Sequence, residues 1–480
     1  MINLSVKEEM SIEEVDKLLQ FQEAPSKTPA YIAIAVTIYF WVVGYTSLAM
    51  LIGPMWEVIS EFLGLIGQAL INYLPMVLGI IAVIFIIMLV ASLIYLKLIE
   101  ALAREFLIAF YILLGISLLG IGAFALVGGQ TIVGAIFLLL GIIELVFFFK
   151  YKRRIELTGR MIELAGKAVY EEKGAISAVI IKSIFIALTS IAFIVTEVVT
   201  VFWMYNLLSG YEYGGIIIAV VSIIILLLGT WSIVFIDTFF TAAVVRIIHD
   251  WYRSPKVDVA SFSKGIKKAW EVAGPLAKYA FVMSVLYVLV NQARRQAARG
   301  KTGLAARIIA SILGITVEIV RYLGFYVIPA MVIRKAGFIK AFEDSISKLR
   351  DLFIETLAGA YAFSTVLGII AFITAMLMGG IGYVIGVAIF VPMLALYDYT
   401  LAIGIVSGFA FAIIALIPLG FVTAAVSAAW KTMLYEYGLD LEFAMKEIML
   451  PSRLPEDVRS IFNETLAEKG VQIPPLLASP

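Results

Sequence analysis

The sequence predicts an all-α integral membrane protein, a polytopic helical bundle of about ten transmembrane helices with additional cytoplasmic amphipathic helices. Of its 480 residues, 62% are hydrophobic and only 15% are charged, and the mean hydropathy is +1.03. A water-soluble fold of this size cannot bury so much apolar surface. Apolar segments of about 20 residues, long enough to cross a hydrocarbon core of about 30 Å, recur along the chain.

The composition also excludes several classes of function. Lys and Arg number 36 and Asp and Glu number 35, so the net charge is +1 and nucleic acid is not an expected partner. The chain has no cysteine and a single histidine, His249, which excludes disulfides, thiolate sites, cysteine nucleophiles and His-based triads. Neither a P-loop nor a nucleophile-elbow motif occurs. We therefore expect no enzyme activity, no cofactor and no metal.

The polar and acidic first 30 residues are predicted to form a cytoplasmic amphipathic segment. They lack the basic and apolar regions of a signal peptide. Ser11 and Glu14 have the spacing of a capping box at the start of a short helix, Ile12 to Glu23, which ends before Pro25.

Eleven apolar segments are candidates for membrane crossing. In chain order they are Tyr31–Ile52, Leu74–Leu96, Phe106–Val127, Thr131–Phe149, Lys182–Leu208, Gly214–Ile248, Val272–Val290, Leu304–Ile333, Thr356–Met378, Gly380–Tyr397 and Thr400–Trp430. The segment 380–397 is short and contains Pro392, so we expect it to be broken or re-entrant, which leaves about ten spans. The predicted domains are a cytoplasmic segment 1–30, a transmembrane domain 31–440 with halves 31–250 and 237–440, and a cytoplasmic tail 441–480.

Lys and Arg in the short loops predict the orientation of the chain. They cluster at 150–160, 253–268 and 334–350 and are absent from the turns 53–73, 128–130, 209–213 and 398–399. This alternation predicts a multi-pass protein of the cell membrane with both termini in the cytoplasm. The basic loop that contains Arg294 and Arg299 breaks the rule if segments 272–290 and 304–333 both cross. That pair is either a hairpin entering from the cytoplasm or a crossing pair with a basic outer loop.

Two further patterns are structural. Amphipathic stretches at Ser263–Glu271, Phe338–Phe353 and Leu441–Met449 are expected to lie in the interface and brace the ends of spans, with a gating role as the alternative. The spacings Gly382-x-x-x-Gly386 and Gly404-x-x-x-Gly408 indicate close helix packing.

Ionisable residues inside apolar spans indicate function, because each costs about 2.5–3.5 kcal/mol at a helix centre. Glu197 lies about 22 Å beyond Lys182 and Asp237 about 13 Å before Arg246, at the helical rise per residue. Neither acid has a cation within one turn of its own helix. Each carboxyl is therefore protonated, paired with another helix or in contact with water. Both are candidate substrate-binding residues.

Three other residues complete the predicted binding set. Trp231, in the middle of its span, offers an aromatic face for cation–π contact with an organic cation. Glu318 and Arg321 lie three residues apart and are expected to pair on one helix face. The alternative is a purely structural ion pair, in which the two charges neutralise each other and bind no substrate.

Four stretches resemble a known family. They are Thr241–Val245 with Trp251–Arg253, Phe325–Val332, Gly337–Phe342 with Ser345, and Ala424–Trp430 with Leu434–Tyr435. From about Asp237 to Asp440 the order of elements resembles the choline-transporter-like family and a wider group of prokaryotic membrane proteins. The resemblance implies a ten-span transporter with cytoplasmic termini and a central pathway for choline-like cations. The loop 53–73 is shorter than in the family's eukaryotic members, and the cysteines common there are absent.

Three functions are compatible with these observations. The first is a permease for a small organic solute, with a choline-like cation as one candidate, that passes between the fifth, sixth and eighth spans. The second is a non-transporting scaffold or accessory subunit of a larger complex, and the third is a lipid-interacting role. The expected partners are the lipid bilayer and either a small solute or a partner membrane subunit. The sequence does not define the oligomeric state.

Overall fold

The computed structural model describes residues 11–21, 25–53, 56–254, 261–298, 304–391, 397–446, 448, 450–456, 458–460 and 463. Side chains are outside this description at 56–89, 294, 296–298, 304–310, 313, 361, 362, 365, 366 and 390. Over the described residues the chain is helical and contains no strand. The predicted all-α class is confirmed.

The helices follow one another with short connections. They are α1 (Ile12–Leu19), α2 (Thr28–Ile52), α3 (Trp56–Val127), α4 (Thr131–Glu171), α5 (Lys173–Leu208), α6 (Gly214–Arg253), α7 (Phe262–Glu271), α8 (Ala273–Ala298), α9 (Leu304–Leu323), α10 (Val327–Ile333), α11 (Phe338–Asp351), α12 (Phe353–Ile385) and α13 (Thr400–Ala444). A π-helical turn, Gly386–Phe390, extends α12, and a 3-10 turn, Tyr397–Tyr399, precedes α13.

Nine stretches of the described chain are long and apolar enough to cross a membrane. They lie in α2, α3, α4, α5, α6, α8, α12 with its π turn, α13 with its 3-10 turn, and in Gly314–Ile333, which α9 and α10 share. This supports the predicted polytopic bundle. The remaining predicted span, Leu74–Leu96, overlaps residues 56–89, whose side chains are outside the description.

Several predicted helix boundaries are wrong. The backbone of α3 stays helical where we expected a break between Leu96 and Phe106, because the charged residues there are compatible with a helix; Lys97 and Glu100, for example, pair one turn apart at 2.7 Å. The helix α12 runs through Gly380 to Ile385, so the expected separate segment 380–397 begins inside it; Pro392 lies outside the described residues. The predicted helix Leu441–Met449 is instead the end of α13, which stops at Ala444.

The predicted span Leu304–Ile333 is two helices with a break at residues 324–326. The hydroxyl of Ser345, in α11, donates to the carbonyl of Leu323 at 2.7 Å and accepts from the N–H of Tyr326 at 3.0 Å. One buried side chain thus satisfies one carbonyl and one amide at the break.

The amphipathic helices α1, α7 and α11 begin within one residue of their predicted positions, but α1 ends at Leu19, before the predicted end at Glu23. The capping box of α1 is present, with the N–H of Ser11 donating to Glu14 at 2.9 Å and the N–H of Glu14 donating to the Ser11 hydroxyl at 3.3 Å. Ser261 caps α7 by accepting from the N–H of Lys264 at 3.2 Å. These caps satisfy amide groups that have no partner within their own helix.

The chain folds as two compact units. The first comprises Met1–Gly79, Ser177–Asp250 and Lys256–Leu349, and the second comprises Ile80–Ile176, Trp251–Pro255 and Arg350–Pro480.

Small residues set the closest helix contacts of the second unit. A Cβ on Gly386, in the π-helical turn, would lie 1.9 Å from the Ser407 hydroxyl of α13, and one on Gly408 would lie 2.9 Å from the carbonyl oxygen of Gly379. The predicted close-packing role of these glycines is confirmed, because only the absence of a side chain lets the two backbones approach so closely.

Candidate functional site

The predicted acids Glu197 and Asp237 lie on one antiparallel helical hairpin of the first unit, formed by α5 and α6. The turn between these helices is closed by hydrogen bonds from the N–H of Tyr211 to Leu208 and from the N–H of Gly214 to Tyr211, both 3.0 Å. A Cβ on Gly229 of α6 would lie 2.1 Å from the ring of Phe193 of α5. This close contact fixes which residues of the two helices face each other.

Asp237 is paired with a lysine of the neighbouring helix. The Nζ of Lys182 lies 2.9 Å from Oδ1 of Asp237. The lysine side chain is 13% exposed and that of Asp237 is 49% exposed. Of the three states that the sequence leaves open for this acid, the structure shows pairing across helices.

Glu197 has no cation among the contacts that the structure describes. Its Oε1 accepts a hydrogen bond from the hydroxyl of Ser222 in α6. Its Oε2 is buried and lacks a hydrogen-bond partner among the described residues. The neighbouring Thr196 is fully buried, and its hydroxyl donates to the carbonyl of Ala192 in the same helix at 2.8 Å. One carboxylate oxygen of Glu197 is thus available to another group.

The hairpin does not bring these two acids together. The contacts Lys182–Asp237 and Glu197–Ser222 lie 15 residues apart on each helix, which corresponds to about 22 Å along the hairpin. A small solute therefore contacts only one of them at a time.

Trp231 lies in the packed interior of the first unit. It is 7% exposed, its indole N–H donates to the carbonyl of Ala277 in α8 at 2.9 Å, and its ring meets Phe281 edge to face at 5.3 Å. These contacts occupy its indole N–H and part of its ring surface.

Glu318 and Arg321 form the pair expected from their spacing. Their side chains are 66% and 65% exposed and approach to 4.0 Å on the surface of α9. The structure does not join them to Glu197, Asp237 or Trp231 in any contact that it describes. Their geometry favours the alternative in which the two charges pair only with each other.

Sequence reasoning missed Glu144, a further acid in an apolar segment. It lies in α4 of the second unit, and its Oε1 is buried without a hydrogen-bond partner among the described residues. The signal was present, because Glu144 follows Gly141-Ile142-Ile143 and precedes Leu145 in the same kind of apolar run that identified Glu197.

Sequence reasoning also missed a buried ionic cluster in the first unit. Arg246, near the end of α6, binds both carboxylate oxygens of Asp16 at 2.8 and 2.9 Å, and Nε2 of His249 lies 3.2 Å from the same carboxylate. Asp250 lies 2.7 Å from Arg246. Asp16 is remote in sequence and precedes the first span, so no local spacing predicts this cluster.

A second buried cluster lies in the second unit and includes residues that carried the family resemblance. The guanidinium of Arg253 donates to Glu436 and Asp440 of α13, and its side chain is fully buried. The hydroxyl of Tyr252 donates to Asp440 at 2.8 Å. The indole of Trp251 donates to Glu171 of α4 at 2.7 Å. The stretch Trp251–Arg253 therefore has a structural role in holding α4 and α13.

The part of the chain that a family model matches contains the α5–α6 hairpin and the Arg253 cluster, but not Asp16 of the first cluster. A model of the plasma-membrane choline transporter family matches residues 135–442, more than half of the chain. The chain belongs to this family. As a choline transporter family member with several membrane-crossing helices, it is a membrane protein of the transporter class. No curated protein matches it.

Proposed function

We propose that this choline transporter family protein is a permease that carries a small organic cation, choline-like in its chemistry, across the cell membrane, and that Glu197 binds the cation on its way. The observation that supports this assignment is the carboxylate of Glu197, with one oxygen on Ser222 and the other without a partner among the described residues. Intramembrane acids of this kind tend to line solute pathways.

The chemistry of the site suits a quaternary ammonium group. Such a cation has no N–H to donate, so it needs a counter-charge and apolar surface rather than a set of acceptors. Glu197 supplies the charge in a low-dielectric setting, where attraction is stronger than in water. Its neighbours in sequence, Ile194 and Val198, are exposed apolar side chains that methyl groups can contact.

Asp237, Trp231, Glu318 and Arg321 take supporting roles in this proposal. The Lys182–Asp237 pair and the Trp231–Ala277 hydrogen bond hold α6 against α5 and α8. Glu318 and Arg321 neutralise each other on α9.

The test is uptake of radiolabelled choline by the purified protein in proteoliposomes. Glu197→Gln removes the charge and keeps the shape, so we expect the initial uptake rate to fall at least tenfold. The matched control is Glu212→Gln, which removes an equal charge from the exposed turn of the same hairpin. We expect this control to leave uptake unchanged.

Two results would contradict the proposal. The first is equal uptake by Glu197→Gln and the unmodified protein. The second is the absence of uptake above empty vesicles for choline, betaine aldehyde and tetramethylammonium alike, which would favour a scaffold or lipid-interacting role.

A further inference from the structure

The segment from Ser11 to Phe21, here called the N-terminal strap, is held near its middle, at Asp16, by the buried charges of α6. Arg246 donates to Oδ1 and Oδ2 of Asp16 at 2.9 and 2.8 Å, and His249 lies 3.2 Å from Oδ1. The side chains of Arg246 and His249 are 2% and 0% exposed. The bidentate geometry is specific for a carboxylate.

The carboxyl of Asp16 keeps its charge in this setting. Burial acts to raise its pKa, but the hydrogen bonds from His249 and Arg246 outweigh burial and hold the pKa below the ordinary value of 3.8. The other charged groups of the cluster are Asp250, 2.7 Å from Arg246, and Lys264 of α7, 3.5 Å from Asp250.

The strap has a second attachment at its C-terminal end, Phe21. The N–H of Phe21 donates to the carbonyl of Arg334 at 2.8 Å, and the Arg334 guanidinium lies 5.1 Å from the centre of the Phe21 ring. Arg334 is the residue that follows α10. The strap therefore ties the end of α6 to the end of α10 within the first unit.

The strap is small and structurally self-contained. Its capping box is formed by its own residues, and within α1 only Val15, Asp16 and Leu19 are buried. Release therefore exposes three side chains and leaves the helix able to cap itself.

We propose that the N-terminal strap is a reversible lock, which holds α6 and α10 together when Asp16 is docked on Arg246 and His249 and lets them separate when it leaves. Carriers expose their site by moving helices of one bundle against another, so we expect an undocked strap to speed transport. This effect on rate rests on the proposed function, whereas the docking itself does not.

Docking is tested with a cysteine placed on the strap, because the chain has none of its own. Val15 is fully buried, so Val15→Cys in the purified full chain reacts slowly with a hydrophilic maleimide while the strap is docked. We expect Asp16→Asn to raise the labelling rate at least tenfold. The matched control is Glu13→Gln, which removes a charge from the exposed face of the same helix and leaves the rate unchanged.

A second reporter separates undocking from unfolding. Val244 of α6 is also fully buried, and Val244→Cys is expected to stay unlabelled in the Asp16→Asn background. Asp16→Glu, which keeps the carboxylate, is expected to restore part of the slow labelling of Val15→Cys. Equal labelling of Val15→Cys with Asp16→Asn and with Glu13→Gln would overturn the proposal, as would labelling of Val244→Cys.

The lock predicts a gain of function in transport. Asp16→Asn is expected to raise the initial rate of choline uptake at least twofold over Glu13→Gln. Faster labelling with no rise in this rate would overturn the lock as a control on transport. Labelling is measured without solute, so its result stays readable if choline uptake is absent from the unmodified protein and the proposed function fails.

Discussion

At the scale of single residues, several buried and half-buried charges in the described part of the chain are paired across helices. Lys182 meets Asp237, Arg246 meets Asp16, and Arg253 meets Glu436 and Asp440. Taking one charge out of water is costly, and a partner on another helix recovers part of that cost. A sequence shows which residues are charged in an apolar run, but it does not show which distant residue faces them.

The Lys182–Asp237 pair gives a test of structural against binding roles. Asp237→Asn leaves the mostly buried Lys182 without its counter-charge, so we expect a loss of about 1 kcal/mol of stability, a modest figure because Asp237 is half exposed. The thermal unfolding midpoint in detergent measures this loss.

The matched variant for that prediction is the double change Lys182→Met with Asp237→Asn. Because it removes both charges, we expect most of the lost stability to return and choline uptake to persist. A loss of choline uptake in the double variant at normal stability would instead assign Asp237 a direct role in binding.

At the scale of elements, glycines in register hold α3 and α4 together as a hairpin. A Cβ on Gly122 would lie 2.7 Å from the backbone nitrogen of Leu138, and one on Gly115 would lie 2.6 Å from the Leu145 side chain. The two helices therefore approach closely enough for leucines of one to fill the gaps beside glycines of the other.

Gly122→Ala is expected to destabilise this hairpin by about 1–3 kcal/mol, because the added methyl meets a backbone atom that cannot move aside alone. Gly120→Ala is the control, since a Cβ there has nothing within 4 Å. Its expected effect is neutral or slightly stabilising, because alanine favours a helix over glycine. Equal melting temperatures for the two variants would show that the hairpin is looser than described.

At the same scale, apolar runs were sufficient to predict the helices but not where they stop. The break between α9 and α10 depends on Ser345, which lies about 20 residues further along the chain. The continuity of α3 depends on charges that a helix surface accommodates. Both outcomes follow from tertiary or surface context, which a local hydropathy pattern does not contain.

At the scale of the whole molecule, hydropathy and length predicted the class of protein, and the resemblance of four stretches predicted the family. The individual acids were identifiable because each interrupts an apolar run. The pairing of Asp237 with Lys182, and the distance of about 22 Å between the two acid positions, required the register of α5 against α6. The turn at 209–213 and the close contact of Gly229 with Phe193 set that register in the folded hairpin. The sequence does not show in advance which residues of α5 these features place opposite α6.

The predicted orientation is testable because the chain contains no cysteine. Gln130→Cys, in the turn between α3 and α4, is expected to react with a membrane-impermeant maleimide added to intact cells. Lys152→Cys, on an exposed face of α4 within a basic cluster, is expected to react only after the cells are permeabilised. The reverse pattern would invert the topology that the basic loops predict.

The single hydroxyl of Ser345 has a mechanical consequence. It accepts from the amide that precedes α10 and donates to the last carbonyl of α9. It therefore couples α11 to the break between these two helices. A change in the angle between α9 and α10 must either move α11 with them or break both hydrogen bonds of Ser345. While these bonds hold, a tilt of α10 is transmitted to the amphipathic helix α11 that follows it.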